Sequence, residues 1–155
     1  MTSHSSATVN LRGHTVNTGL FIGGAWEDTK KNYTVTNPSD GATIATMSDG
    51  SPADAVRALD AAVAASHDWR FWAPRVRADL FHRTHALLME RADAFADVMV
   101  LESGKPRSEA MAEFNLSAGF FLWYTEQIAH LHGTYAEGSP GGYRVIETHQ
   151  PVGPS

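Results

Sequence analysis

The amino-acid sequence predicts an α/β fold: short β-hairpins first, several α-helices next, and a terminal strand. Three observations carry this expectation. Between residues 20 and 47, short apolar and β-branched runs are separated by glycine and proline turns, as hairpin strands require. From Ser51 to Gly133, apolar residues recur at helical spacing between recognisable helix ends. Tyr143 to Gln150, bounded by the turn-rich Glu137 to Gly142 and a Pro151-Val152-Gly153-Pro154 exit, reads as an extended strand.

Taken in order, residues 1–19 are expected to be a disordered tail, because Met1 to Thr18 shows no periodicity and too few apolar residues to fold alone. Leu20-Phe21-Ile22, Gly23-Gly24 and Ala25-Trp26-Glu27 read as strand, tight turn and strand, since paired glycines accept the positive φ of a hairpin turn. Tyr33 to Thr36 is a third strand, Asn37-Pro38-Ser39-Asp40-Gly41 a turn cluster, and Thr43 to Met47 a fourth strand. Ser51-Pro52-Ala53-Asp54 opens a helix: Ser51 can accept from the unpaired first amides, Pro52 stands where its missing N–H costs nothing, and Asp54 answers three residues on. Val56, Leu59 and Val63 continue it on one face.

The aromatic, proline-broken segment Trp69 to Pro74 ends that helix and leads into another carrying Val76, Leu80, Thr84, Leu87 and Leu88. Phe95, Val98, Met99 and Leu101 follow in a new phase, after a bend expected at Arg91 to Asp93; one continuous helix is the competing reading. Both readings end at Leu101-Glu102-Ser103-Gly104-Lys105-Pro106. Gly104 can close a helix in the left-handed conformation, and Pro106 has a φ suited to opening the next. The helix after Pro106 places Ala110, Phe114, Ala118, Phe121, Thr125 and Ile128 on one stripe, while Phe120, Trp123 and Tyr124 make other faces apolar. Burial on several sides is therefore expected, with Gly133 as the stop.

With 155 residues and 43% hydrophobic content, the chain is long enough for one domain with a core. A net charge of -5 from 12 basic and 17 acidic residues, with no basic block, leaves no footprint for nucleic acid or an anionic membrane. Cysteine is absent, which excludes disulfides, thiolate metal sites and a cysteine nucleophile within this chain. No stretch approaches the roughly 20 apolar residues of a bilayer span, and Met1 to Asn17 lacks the apolar core of a signal peptide. A cytoplasmic location is the expectation.

Local chemistry is sparse. His82 and His85, and separately His130 and His132, stand at ligand spacing, but closed metal sites usually take three or four protein ligands and no carboxylate is placed with either pair. Solvated helix faces explain both, and a metal-binding helical protein is the lesser reading. Gly104-Lys105 does not complete a phosphate loop, since Met99 and Pro106 stand where that loop needs Gly and Ser or Thr. No G-x-G-x-x-G or G-x-S-x-G run occurs. The aromatic run Phe120 to Tyr124 suits a packed core better than a ligand channel.

Four segments in order nonetheless resemble the start of the aldehyde dehydrogenase superfamily: Leu20 to Trp26, Thr36 to Gly41, Leu101 to Pro106, and Gln150 to Pro154. Glu109 to Gly133 and Gly141 to Ser155 look most similar to succinate-semialdehyde dehydrogenases. The resemblance implies that residues 20–155 are an incomplete N-terminal portion of that fold, namely the helical part of the cofactor domain and the start of the oligomerisation arm. It implies an oxidoreductase that oxidises an aldehyde, such as succinate semialdehyde, to its carboxylate with NAD or NADP, in a homo-oligomer. In that family a cysteine thiolate attacks the carbonyl, hydride leaves to nicotinamide, and a glutamate-activated water releases the acyl group. Those groups follow the Gln-Pro-Val-Gly-Pro motif, so this chain is expected to be inactive alone, with no catalytic or cofactor-binding residue of its own. What carries over is a structural monovalent cation near Val35, Thr36 and Glu102, and a substrate-tunnel wall at Ala112, Leu116 and Phe120. The competing reading is a non-enzymatic helical interaction module derived from such an enzyme.

Overall fold

The computed structural model describes residues 7–154. Among them, eight strands form four separate two-stranded antiparallel hairpins, and four α-helices lie between the third hairpin and the fourth.

The first hairpin corrects the sequence reading. β1 (Thr8–Leu11) pairs with β2 (His14–Asn17) inside the stretch expected to be disordered; residues 1–6 of that stretch lie outside the described residues. Arg12 and Gly13 both take positive φ, 51° and 92°, as a two-residue turn matched to strand twist requires. Leu11 is buried, so the hairpin gains tertiary contacts that a count of apolar residues does not reveal.

β3 (Leu20–Ile22) and β4 (Ala25–Glu27) pair across Gly23 and Gly24, which have φ of 60° and 87°. β5 (Asn32–Thr36) pairs with β6 (Thr43–Ser48), with the register shifting between Val35 and Thr36. The third and fourth expected strands are thus one hairpin.

α1 (Pro52–Trp69) begins at a complete capping box. The Asp54 amide donates to Ser51 Oγ at 3.3 Å, and the Ser51 amide donates to Asp54 Oδ2 at 2.8 Å. The Ser51 side chain and backbone both donate to Asp54, holding its carboxyl below the usual carboxylate range. α2 (Pro74–Glu90) and α3 (Ala92–Ser103) are separate helices that break at Arg91, where the bend was expected. Gly104 caps α3 with φ 70°, and α4 (Arg107–Gln127) starts after Pro106. α4 gives way to a 3-10 turn at Ile128–His130, so the chain leaves the helix before Gly133. The expected terminal strand is shorter than its sequence span: β8 (Arg144–Ile146) pairs with β7 (Tyr135–Glu137), and residues 147–154 have no regular structure. The three-residue partner limits the ladder.

The core lies between α3 and α4, with α2 beside them. Ala96 and Ala110 have no exposed surface, Ala118 is nearly as buried, and these small side chains let the helices approach. The Phe95 and Phe114 rings stack at 5.4 Å, and Phe81 meets Phe121 at 5.3 Å. α1 contributes nothing buried; Val56 and Leu59 stay more than half exposed. Total accessible surface is 11412 Å², against about 7,700 Å² expected of a folded monomer of this mass. The layers are present, but much of what they would bury is open.

Candidate functional site

Two places gather the residues singled out by sequence. The first is the joint between α3 and α4. Gly104 packs against the turn that follows β5: a Cβ added there would lie 3.0 Å from Pro38 Cγ and 3.2 Å from Ser39 Oγ. Glycine is required twice over, by its positive φ and by this approach. Glu102, two residues before Gly104, is solvent-exposed, and at the end of β5 Val35 is half-buried and Thr36 exposed. Lys105 forms an ion pair with Glu113 across the joint.

The second place is the outer face of α4. Ala110, Phe114, Ala118 and Thr125 are buried, so the stripe expected to face the core does. Ala112, Leu116 and Phe120 recur at four-residue spacing on another face and are exposed, Leu116 by 62% and Phe120 by 58%. Trp123 and Tyr124 extend this face and are equally open. Burial on several sides, the expectation from sequence, is not met within this chain, because no described element covers that face. Large apolar faces left bare on a chain often mark interaction or ligand-binding surfaces.

Against the expectation that no carboxylate accompanies either histidine pair, one histidine of each, His82 and His130, borders a shared cleft with Asp79 and Glu126. Among the described residues, no three His, Cys, Asp or Glu side chains come together as a metal centre. No described helix is long and apolar enough to cross a membrane.

Sequence reasoning missed one cluster. Asp97 on α3 faces Arg12 and His14 of the first hairpin and Arg107 at the start of α4. The pair Asp93 and Asp97 on one helix face, with Arg107 ten residues on, was the available signal.

Comparison with known proteins gives a consistent picture. A family model described as the aldehyde dehydrogenase family matches residues 26–155. Succinate-semialdehyde dehydrogenase of Paenarthrobacter nicotinovorans is 40% identical over 111 residues, covering 72% of this chain and 25% of that one. Glutarate-semialdehyde dehydrogenase of Pseudomonas aeruginosa is 33% identical, covering 86% and 28%. Among solved structures, an NADP-dependent enzyme of E. coli superposes with a TM-score of 0.76 at 31% identity, covering 79% of this chain and 26% of that one. The chain spans about a quarter of the length of the curated relatives it matches.

Proposed function

The chain belongs to the aldehyde dehydrogenase family, and from that premise we propose that it is the N-terminal scaffold of an NAD(P)-dependent enzyme oxidising a semialdehyde of the succinate type to its carboxylate. The reading rests on the bare apolar face of α4, at Leu116, Phe120, Trp123 and Tyr124. In this reading Ala112, Leu116 and Phe120 form one wall of a substrate tunnel whose other walls come from further parts of the fold. Two relatives named for semialdehydes of four- and five-carbon dicarboxylates support the substrate class.

The 155 residues do not perform the reaction alone. Thiolate attack on the aldehyde needs a cysteine, and there is none. A dinucleotide needs the carboxyl edge of a parallel sheet and a glycine turn leading into a helix; the described strands form antiparallel hairpins only. These residues do not fit the cofactor. Their part is to hold the tunnel wall and, at Val35, Thr36 and Glu102, a monovalent cation: backbone carbonyls and one carboxylate are a hard oxygen donor set.

The test is a pair of assays with succinate semialdehyde and either NAD or NADP, following reduced nicotinamide by absorbance. The 155-residue protein should be inactive, and a longer polypeptide that begins with this sequence and carries a cysteine should be active, losing turnover when that cysteine becomes alanine. Turnover by the 155-residue protein would sink the proposal; a longer polypeptide inert toward every aldehyde would sink it too, and would favour a non-enzymatic interaction module.

A further inference from the structure

We propose that Asp97 is a latch: this one carboxylate holds the tip of the β1–β2 hairpin onto the joint of α3 and α4, and neutralising it frees the tip while the helices stay packed. A lone two-stranded hairpin is marginal in water, so what anchors it decides whether it is ordered. Its base is held by backbone, with the Thr18 amide donating to the Ala7 carbonyl at 3.0 Å and the Ser48 amide to the Thr18 carbonyl at 2.9 Å. Its tip is held differently. Among the described residues, the polar ties from the tip to the helices come from Arg12 and His14, and both end on Asp97.

Arg12 Nη1 lies 3.6 Å from Asp97 Oδ1, and His14 Nε2 lies 3.3 Å from Oδ2. An ionised carboxylate only accepts, so His14 must carry its proton on Nε2, which both the charged ring and one neutral tautomer do. From the other side, Arg107 Nε donates to Asp97 Oδ1 at 3.2 Å, while its Nη2 donates to Asp93 Oδ1 at 2.7 Å. The groups facing Asp97 are thus Arg12 from the hairpin turn, His14 from β2, Arg107 from α4 and Asp93 on its own helix. Arg12 sits at φ 51°, a conformation costly for a non-glycine residue and retained where surroundings hold it.

Partial burial pushes the Asp97 carboxyl upward, but hydrogen bonds from His14 and Arg107 and the charges of Arg107 and Arg12 outweigh it, leaving it below the usual range. A carboxyl lower in the folded state than in the unfolded one gives a tie that is complete above the ordinary value, about 3.9. The tie is lost as pH falls through the lowered folded value. Acid therefore opens the latch from the Asp97 side.

Hydrogen exchange followed by mass spectrometry on the whole chain tests this at neutral pH. Asp97→Asn, nearly isosteric, should speed amide exchange across residues 14–17 roughly three- to tenfold and leave residues 110–125 within about twofold of wild type. The double variant Arg12→Gln, His14→Gln removes the same ties from the hairpin side and should match it. Arg107→Gln leaves both ties in place and should keep the hairpin protected. Unchanged hairpin exchange in Asp97→Asn overturns the latch. If Asp97→Asn also loosens the helices, the double variant decides, and a protected hairpin there is equally fatal. Wild-type protein with unprotected amides at 110–125 would remove the platform the latch needs.

Discussion

Gly104 is the residue on which the α3–α4 joint turns. Its φ of 70° already disfavours a side chain, and Pro38 Cγ stands where a Cβ would press. Gly104→Ala should cost about 1–2 kcal/mol in urea unfolding, and an unchanged midpoint would mean that the turn after β5 does not seat on the joint. Two residues earlier, Glu102 is proposed to complete a cation site with the carbonyls of Val35 and Thr36. Sodium or potassium chloride should then raise the melting temperature by roughly 2–4 °C over tetramethylammonium chloride of equal ionic strength, and Glu102→Gln should abolish the difference. Gly104 was legible from sequence because a glycine flanked by helical stripes and followed two residues later by proline has few other uses. Asp97 was not: its partners lie 10 to 85 positions away in sequence, and only folding brings Arg12, His14 and Arg107 to one carboxylate.

At the scale of the element, α4 carries two apolar faces with different fates. The stripe through Phe114 is packed, with Phe114 6% exposed, and the face through Phe120 is open. Phe114→Ala should therefore destabilise the chain by about 3 kcal/mol or more. Phe120→Ala should shift urea unfolding by no more than about 0.5 kcal/mol. Comparable losses from both would show that the outer face is covered after all. The helices and their ends were largely readable, since the capping box at Ser51, the break at Arg91 and the glycine cap are local and depend on a few adjacent side chains. The β-hairpins were readable where glycine pairs or proline turns announced them. The hairpin at residues 8–17 was not, because its turn uses Arg12 at positive φ and Leu11 finds its burial elsewhere in the fold. β7 escaped for a similar reason: three residues with no buried side chain leave no pattern to read.

At the scale of the whole molecule, the surface excess and the open faces of α1 and α4 leave much apolar area in contact with water. The 155-residue protein should brighten an apolar dye such as ANS and self-associate as its concentration rises. A dim, monomeric protein with a single cooperative unfolding transition would mean that this surface needs no cover. The sequence by itself determined the class of fold, most helix boundaries though not the end of α4, and the family, because these rest on local backbone preferences and on ordered short motifs that survive without their neighbours. Only the tertiary structure decided which face of α4 is buried, that the N-terminal stretch folds back as a hairpin, and that one aspartate ties that hairpin to two helices. Those outcomes depend on which distant surfaces meet, and a helix that is apolar on both sides carries no local signal for which side will find a partner.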